Sequence, residues 1–323
     1  MLVLNMVHIK TFINTIHIME TILVTGGTGL LGKSLENVVD KTKYNWVFLS
    51  SKDGDLRIAS DTEKIFKLHK PEYVFHLAAN VGGLFKNIKF PTEIFHDNVL
   101  INENVLQACH LFKVKKVVAC ASSCIFPSNP PFYPMAENMI LEGEPHSTNA
   151  SYSWSKRLMI FQANNYRQQY GMNIIIVNPV NLYGPHDSLD LNDSHIIPAV
   201  IQKIINAKTT NASSVTIFGT GRPLRQFLYV DDCARMLVLV FESKENLSIV
   251  NCSNNEMSIN NCVEIIAKNI GYTGKIEYDT TKSDGVYRKT ISNSLFLSLF
   301  PSFDFTSFDV GIAKTLKWFY ENR

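Results

Sequence analysis

Short runs of apolar, mostly β-branched residues alternate along this chain with longer stretches whose apolar positions recur at helical spacing. Thr21–Thr25, Asn45–Leu49, Tyr73–His76, Lys116–Cys120 and Asn173–Val177 read as successive strands. Between them Leu30–Val39, Asp61–Leu68, Pro91–Phe112 and Tyr152–Tyr170 read as helices. Strands separated by helices must cross over and run parallel, so the pattern predicts an α/β fold built on a doubly wound parallel sheet. The apolar runs Val-Val-Ala-Cys ending at Cys120 and Ile-Ile-Ile-Val ending at Val177 suit strands buried on both faces. After Pro179 the rhythm changes: the loops Gly184–Ser194, Gly219–Leu224 and Asp279–Lys289 lengthen and strands become isolated. Residues 19–178 are therefore expected to form a nucleotide-binding domain, and 179–323 mainly a smaller C-terminal α/β lobe for substrate. Phe227–Phe241 is placed to return to the first sheet. Residues 1–18 carry Lys10, lack arginine and have no compact apolar run before a small-residue cleavage site. They are expected to be a disordered extension, not a targeting signal.

Composition narrows the function classes. Thirty-one basic against 29 acidic residues give a net charge of +2, which leaves no electrostatic footprint for nucleic acid. Hydrophobic residues make up 46% of the chain, ample for a core. The longest apolar stretches, such as Met236 to Phe241, fall far short of the roughly 18 residues a membrane span needs. Cys109, Cys120, Cys124, Cys233, Cys252 and Cys262 form no Cys-x-x-Cys pair, so no metal site is expected and a reducing, cytoplasmic setting is.

Between the first strand and first helix stand Gly26, Gly29 and Gly32, in Gly-Gly-Thr-Gly-Leu-Leu-Gly. Small residues at a strand–turn–helix junction let the backbone approach a pyrophosphate, whose charge the helix N-terminus stabilises, and this predicts a Rossmann-type site. After the second strand an NAD site would carry an acid for the ribose 2′-hydroxyl. Here the chain reads Leu49-Ser50-Ser51-Lys52, and two hydroxyls with a cation favour the 2′-phosphate of NADP(H). Tyr152 and Lys156 lie at i and i+4 on a predicted helix. A cation there favours the phenolate and is expected to bring the phenol toward neutral pH. Ser122, at the end of the fourth strand, is positioned to hydrogen-bond the substrate oxygen that Tyr152 protonates. Cys124 follows at the same strand mouth and offers a second proton carrier. Its partner would be a histidine, His195 or the competing His186.

Taken together, His76-Leu-Ala-Ala-Asn-Val-Gly-Gly-Leu-Phe, Ser122-Ser-Cys-Ile-Phe-Pro, Asn181-Leu-Tyr-Gly-Pro-His-Asp, Ser194-His-Ile-Ile-Pro, Phe218-Gly-Thr-Gly and Thr280-Thr-Lys-Ser-Asp-Gly resemble the GDP-L-fucose synthase family of extended short-chain dehydrogenase/reductases. The resemblance runs from about Met19 to the C-terminus. It implies a homodimeric, NADPH-dependent 3,5-epimerase and 4-reductase that turns the GDP-sugar GDP-4-dehydro-6-deoxy-D-mannose into GDP-L-fucose. It implies that Ser122, Tyr152 and Lys156 handle the C4 carbonyl, while Cys124 and His195 invert C3 and C5. The cofactor contacts it implies begin in the first turn with Gly26, Gly27, Thr28, Gly29, Leu30, Leu31 and Gly32. Ser51, Lys52, Asp55 and Leu56 follow the second strand, and Ala78 and Ala79 the third. Cys120, Ala121, Ser122 and Ser123 then lead to Tyr152, Lys156, Pro179, Asn181, Leu182 and His195. Substrate contacts fall at Lys203, Phe218, Arg225, Asp284 and Lys289, where the forked donors of Arg225 suit a diphosphate. Phe218 departs from a tryptophan often found there. Thr28 stands where some members carry an arginine, which leaves more of the 2′-phosphate to Lys52. Helices Asn98–Phe112 and Tyr152–Tyr170 are the dimer elements by the same resemblance.

The alternative inside this fold is another nucleotide-sugar 4-epimerase, reductase or dehydratase. A dehydratase would show an Asp-Glu pair after the strand serine, where Ser123-Cys124 stands, and a 4-epimerase needs tightly held NAD and no extra base–acid pair. A non-catalytic nucleotide sensor would have lost part of the Ser122, Tyr152 and Lys156 set, which is intact.

Overall fold

A computed structural model describes residues 19–187 and 195–322, apart from the side chains of Leu84 and Phe85. The expected extension over 1–18 and Ser194 lie outside the described residues. The first half of the chain runs β1 (Thr21–Thr25), α1 (Leu30–Val38), β2 (Asn45–Phe48), α2 (Ala59–His69), β3 (Tyr73–His76), α3 (Leu84–Lys89), α4 (Pro91–Leu111), β4 (Lys116–Cys120), α5 (Ala150–Tyr170) and β5 (Ile174–Pro179). The second runs β6 (Asn181–Tyr183), α6 (Ile196–Thr209), β7 (Ser214–Phe218), β8 (Leu224–Tyr229), α7 (Val230–Glu242), β9 (Ile249–Cys252), β10 (Glu256–Ser258), α8 (Ile259–Ile270), β11 (Lys275–Asp279), β12 (Arg288–Lys289), α9 (Ser294–Leu299) and α10 (Phe308–Glu321).

Six parallel strands form the main sheet in the order β2-β1-β3-β4-β5-β9, with Ile22 paired to both Trp46 and Tyr73. The doubly wound parallel sheet read from the alternating pattern is the observed one. Strand order reverses at β1, and ligands of such sheets bind where the crossovers part, beyond the carboxyl ends of the strands. Ile22, Leu23 and Val24 are completely buried, as are Ile174 to Val177, because helices cover both faces.

Phe227–Phe241 divides. Its first part is β8, at the centre of a separate sheet where β6 and β12 pair with it in parallel and β10 antiparallel. Its second part, α7, does return to the first sheet. Phe241 packs edge-on against Tyr73 and 5.2 Å from Phe75, and Asp231 accepts from Ser34 of α1 at 2.5 Å. β9 then joins the sheet edge through Ile176 and Ile249. One core thus joins the first half to α7 and β9, while a second gathers Tyr183, Ile204, Phe227, Val263 and Ile312 under α6, α8 and α10. Among the described residues no helix is long and apolar enough to cross a membrane.

Candidate active site

A cleft of about 860 Å³ opens at the carboxyl ends of β1, β3, β4 and β5, in the size range of small-molecule sites. Its floor is the glycine turn. Gly26 sits at φ +69°, and a Cβ on Gly32 would lie 2.4 Å from the Gly26 oxygen and 2.6 Å from Gly27 backbone. Only glycine lets α1 start this close to β1. α1 carries no side-chain cap and no acid in its first turn, so its amide end faces the cleft uncompensated. Asp53, the carboxylate nearest the end of β2, is folded back into its own turn, accepting from the Ser50 amide at 2.7 Å and hydroxyl at 2.8 Å. An anion-seeking turn, an open helix end and no free acid beside β2 fit a phosphorylated dinucleotide.

Most of the expected cofactor residues line this cleft, from Gly26 through Ser51, Asp55, Leu56 and Ala78 to Leu182 and His195. Four do not. Gly27 packs on β2, where a Cβ would meet Phe48 at 2.7 Å. Ser123 is buried behind the wall, and Asn181 spends its amide on the Gln226 carbonyl at 3.0 Å, lashing β6 to β8. Lys52 is exposed and stands outside the wall, because the Asp53-closed turn directs Ser50 and Ser51 inward instead. Sequence reasoning missed Arg57, Asn80 and Asp97, which also line the cleft. Arg57 bonds Asp55 at 2.7 Å and Asp97 at 3.2 Å, and Asn80 donates to Asp97 at 2.9 Å. Their signal was adjacency: Arg57 follows Asp55-Leu56 and Asn80 follows Ala78-Ala79.

Ser122, Tyr152 and Lys156 come together on one wall of the cleft. Ser122 has extended backbone and caps the short turn Ser123–Ile125, its Oγ accepting the Cys124 amide at 3.2 Å. Lys156 is 1% exposed; its Nζ donates to the Cys120 carbonyl at 2.9 Å and lies 5.9 Å from the Tyr152 ring centre. Burial pushes this ammonium down to about 8. The expectation for Tyr152 is corrected in sign. Burial first, then the neighbouring Cys120 and Cys124, raises its phenol well above the ordinary range. Tyr152 therefore stands as a protonated O–H. Behind it His76 is fully buried between Thr25 Oγ1 (2.8 Å) and Asn102 Oδ1 (3.1 Å). Burial first, then the Lys156 charge, pushes it down to about 3.

Cys124 is half-buried and is not part of the cleft wall itself. It lies near enough to bear on the ionisation of both Tyr152 and Arg225. His195 is exposed at the start of α6, and His186, at φ +70° with its ring 5.1 Å from Trp318, lines the cleft as well.

The five expected substrate residues cluster on the second lobe. Lys203 Nζ sits 3.8 Å from the centre of the Phe218 ring, which is 52% exposed. Asp284 accepts from the Thr220 amide at 2.6 Å and hydroxyl at 2.7 Å, which hold its carboxyl below the usual range. Arg225 is braced by the Leu224 carbonyl at 2.8 Å and pairs in register with Lys289. Burial lowers the Arg225 guanidinium, with Asp284 and Cys124 opposing.

The model for the NAD dependent epimerase/dehydratase family matches residues 22–253. A GDP-L-fucose synthase of Dictyostelium discoideum is 42% identical over 94% of this chain and 96% of its own. A probable GDP-L-fucose synthase of Drosophila melanogaster is 40% identical over 94% and 98%. The crystal structure of a GDP-L-fucose synthetase from Naegleria fowleri bound to NADP superposes with a TM-score of 0.88 at 41% identity, covering 94% of this chain and 93% of that one. With a parallel sheet reversing at a glycine turn and a serine–tyrosine–lysine wall beside it, the chain belongs to the NAD dependent epimerase/dehydratase family and, within it, groups with the GDP-L-fucose synthases.

Proposed function

We propose that this enzyme converts GDP-4-dehydro-6-deoxy-D-mannose to GDP-L-fucose by 3,5-epimerisation followed by NADPH-dependent reduction at C4. The observation that carries the reading is the Ser122–Cys124 turn. It sets a hydroxyl on the cleft wall beside Tyr152 and Lys156, and a thiol two residues on, close to Arg225.

C3 and C5 both flank the C4 ketone, so removing either proton places charge on the C4 oxygen. Ser122 and Tyr152 are O–H donors on that wall and would stabilise the developing oxyanion. Inversion needs a group that takes a proton from one face and another that delivers one to the opposite face; Cys124 and His195 are assigned this pair of tasks. When bound, NADPH supplies the hydride for C4. Tyr152 then gives its proton to the C4 oxygen, and burial, which keeps the phenol protonated, suits it to that role. Lys156 stabilises the phenolate left behind. Gly26, Gly29, Gly32 and the open end of α1 would hold the pyrophosphate, with Ser50 and Ser51 toward the 2′-phosphate. Arg225, Lys203, Lys289 and Phe218 would hold the GDP group, two or more cations facing its diphosphate.

We also propose a homodimer through α4 and α5, on whose outer faces Phe95, Trp154, Leu158 and Phe161 are each at least 40% exposed. Six free thiols suit a cytosolic setting. Sedimentation reporting only monomer at micromolar concentration would remove the dimer. The function is tested by incubating the enzyme and the 4-keto sugar in deuterated water without NADPH, then adding NADPH and reading the product by NMR. GDP-L-fucose labelled at C3 and C5 is expected; an unlabelled product contradicts the epimerase half.

A further inference from the structure

Helix α5 carries two adjacent strips of polar side chains. Tyr152 and Lys156 form one, and Ser153 and Arg157, one residue on, form the next at the same i, i+4 spacing. The second strip is buried: Ser153 is fully enclosed and Arg157 is 4% exposed. Ser153 Oγ donates to the Cys124 carbonyl at 2.9 Å, and Arg157 Nε donates to the next carbonyl, Ile125, at 2.7 Å. Arg157 Nη2 reaches the Gly143 carbonyl at 2.7 Å, and the guanidinium lies 4.9 Å from the Trp154 ring centre. A guanidinium enclosed in this way, bonded to backbone carbonyls and not to carboxylates, is costly to bury, and an apolar side chain would pack there more cheaply. What the cation secures is the turn that bears Cys124.

We infer that Ser153 and Arg157 are positioning residues for the Cys124 thiol, clamping its turn onto the helix that carries Tyr152 and Lys156. The Cys124 peptide is gripped at its amide by Ser122 and at its carbonyl by Ser153, and Arg157 fixes the carbonyl after it. The thiol and the phenol are then held by one rigid element, so the two half-reactions share a single frame. Removing the clamp loosens the thiol and leaves Tyr152 and Lys156 in place. This rests on the assignment of Cys124 to epimerisation.

The test compares Ser153→Ala, Arg157→Met and Arg157→Lys in two assays. One is deuterium exchange at C3 and C5 of the 4-keto sugar without NADPH. The other is single-turnover hydride transfer from GDP-L-fucose to NADP+, which precedes any inversion in that direction. Ser153→Ala and Arg157→Met are expected to lower the exchange kcat about tenfold, with KM and hydride transfer within about twofold, since misplacing a reacting group costs rate more than binding. Arg157→Lys, which keeps one donor, is expected to fall between. Unchanged exchange, or equal loss in both assays, overturns the inference. Should Arg157→Met fail to fold, Ser153→Ala decides by the same two readings. Cys124→Ser is run alongside: persisting exchange in it would overturn the role of the thiol itself, whereas exchange lost there but normal in the clamp variants overturns only the clamp.

Discussion

The Lys156 ammonium donates to the Cys120 carbonyl at 2.9 Å, so α5 is tied to the end of β4 through a cation that is almost wholly buried. Burial lowers its pKa from 10.5 to about 8. At about 1.4 kcal/mol per unit this costs the folded state roughly 3 to 4 kcal/mol wherever the lysine is charged in both states. The unfolded chain holds the proton more tightly, so stability attributable to this group rises with pH between about 8 and 10.5. The lost carbonyl hydrogen bond offsets about 1 kcal/mol. Lys156→Met is therefore expected to be more stable than the parent by about 2 to 3 kcal/mol at pH 7 while reduction collapses. Urea titrations at pH 7 and pH 10 check this, and the gain should shrink at the higher pH. A variant less stable than the parent at pH 7 contradicts it.

The same lysine sets an alkaline limb for the reduction step. Its cation is lost as pH rises through about 8, so kcat for C4 reduction is expected to fall above that value. Lys156→Arg, charged throughout, should show a lower plateau without that limb. A limb persisting unchanged in Lys156→Arg assigns it to another group.

Gly32→Ala would place a methyl 2.4 Å from the Gly26 oxygen, with backbone on the facing side and no flexible side chain to yield. Overpacking of this kind costs about 1–3 kcal/mol, and the displaced turn is expected to weaken NADPH binding at least about tenfold by fluorescence titration. Binding within about twofold of the parent would show that the turn can shift.

Ser51 lines the cleft and Lys52 does not. Ser51→Asp is expected to cut the NADPH-over-NADH ratio of kcat/KM by about tenfold or more through repulsion of the 2′-phosphate. Lys52→Ala, removing an exposed charge, is expected to change the ratio less than about threefold. The reverse ranking would restore the lysine to the role its position in sequence suggests.

These contrasts show which parts of the molecule were legible from the chain. β1, β3 and β4 begin and end where the apolar runs do, because strands buried on both faces admit no polar residue inside the run. In the second lobe the chain shows lengthened loops and isolated strands but not which strands pair. Its β7 alternates buried and exposed positions and its β12 has only two residues, too little pattern to distinguish from a loop. The triad was legible because Tyr152 and Lys156 are local to one helix. The balance of burial against charge at Tyr152 was not, since it depends on how tightly β4 and α5 close. Nor was the electrostatic influence of Cys124 on Arg225, about a hundred residues apart in sequence, which only the folded chain brings about.

In the proposed reaction the same enzyme inverts C3 and C5 and reduces C4, with Cys124 and His195 assigned to the inversions. The most direct measurement is the full reaction in deuterated water with NADPH, run on the parent, Cys124→Ser and His195→Gln, with the sugar product resolved by NMR. The parent is predicted to give GDP-L-fucose carrying deuterium at C3 and C5. Each variant is predicted to lose the label at one or both carbons while still oxidising NADPH, yielding sugars that keep the substrate's configuration at each unlabelled carbon. Doubly labelled GDP-L-fucose from both variants at the parent rate would rule out Cys124 and His195 as the inverting pair.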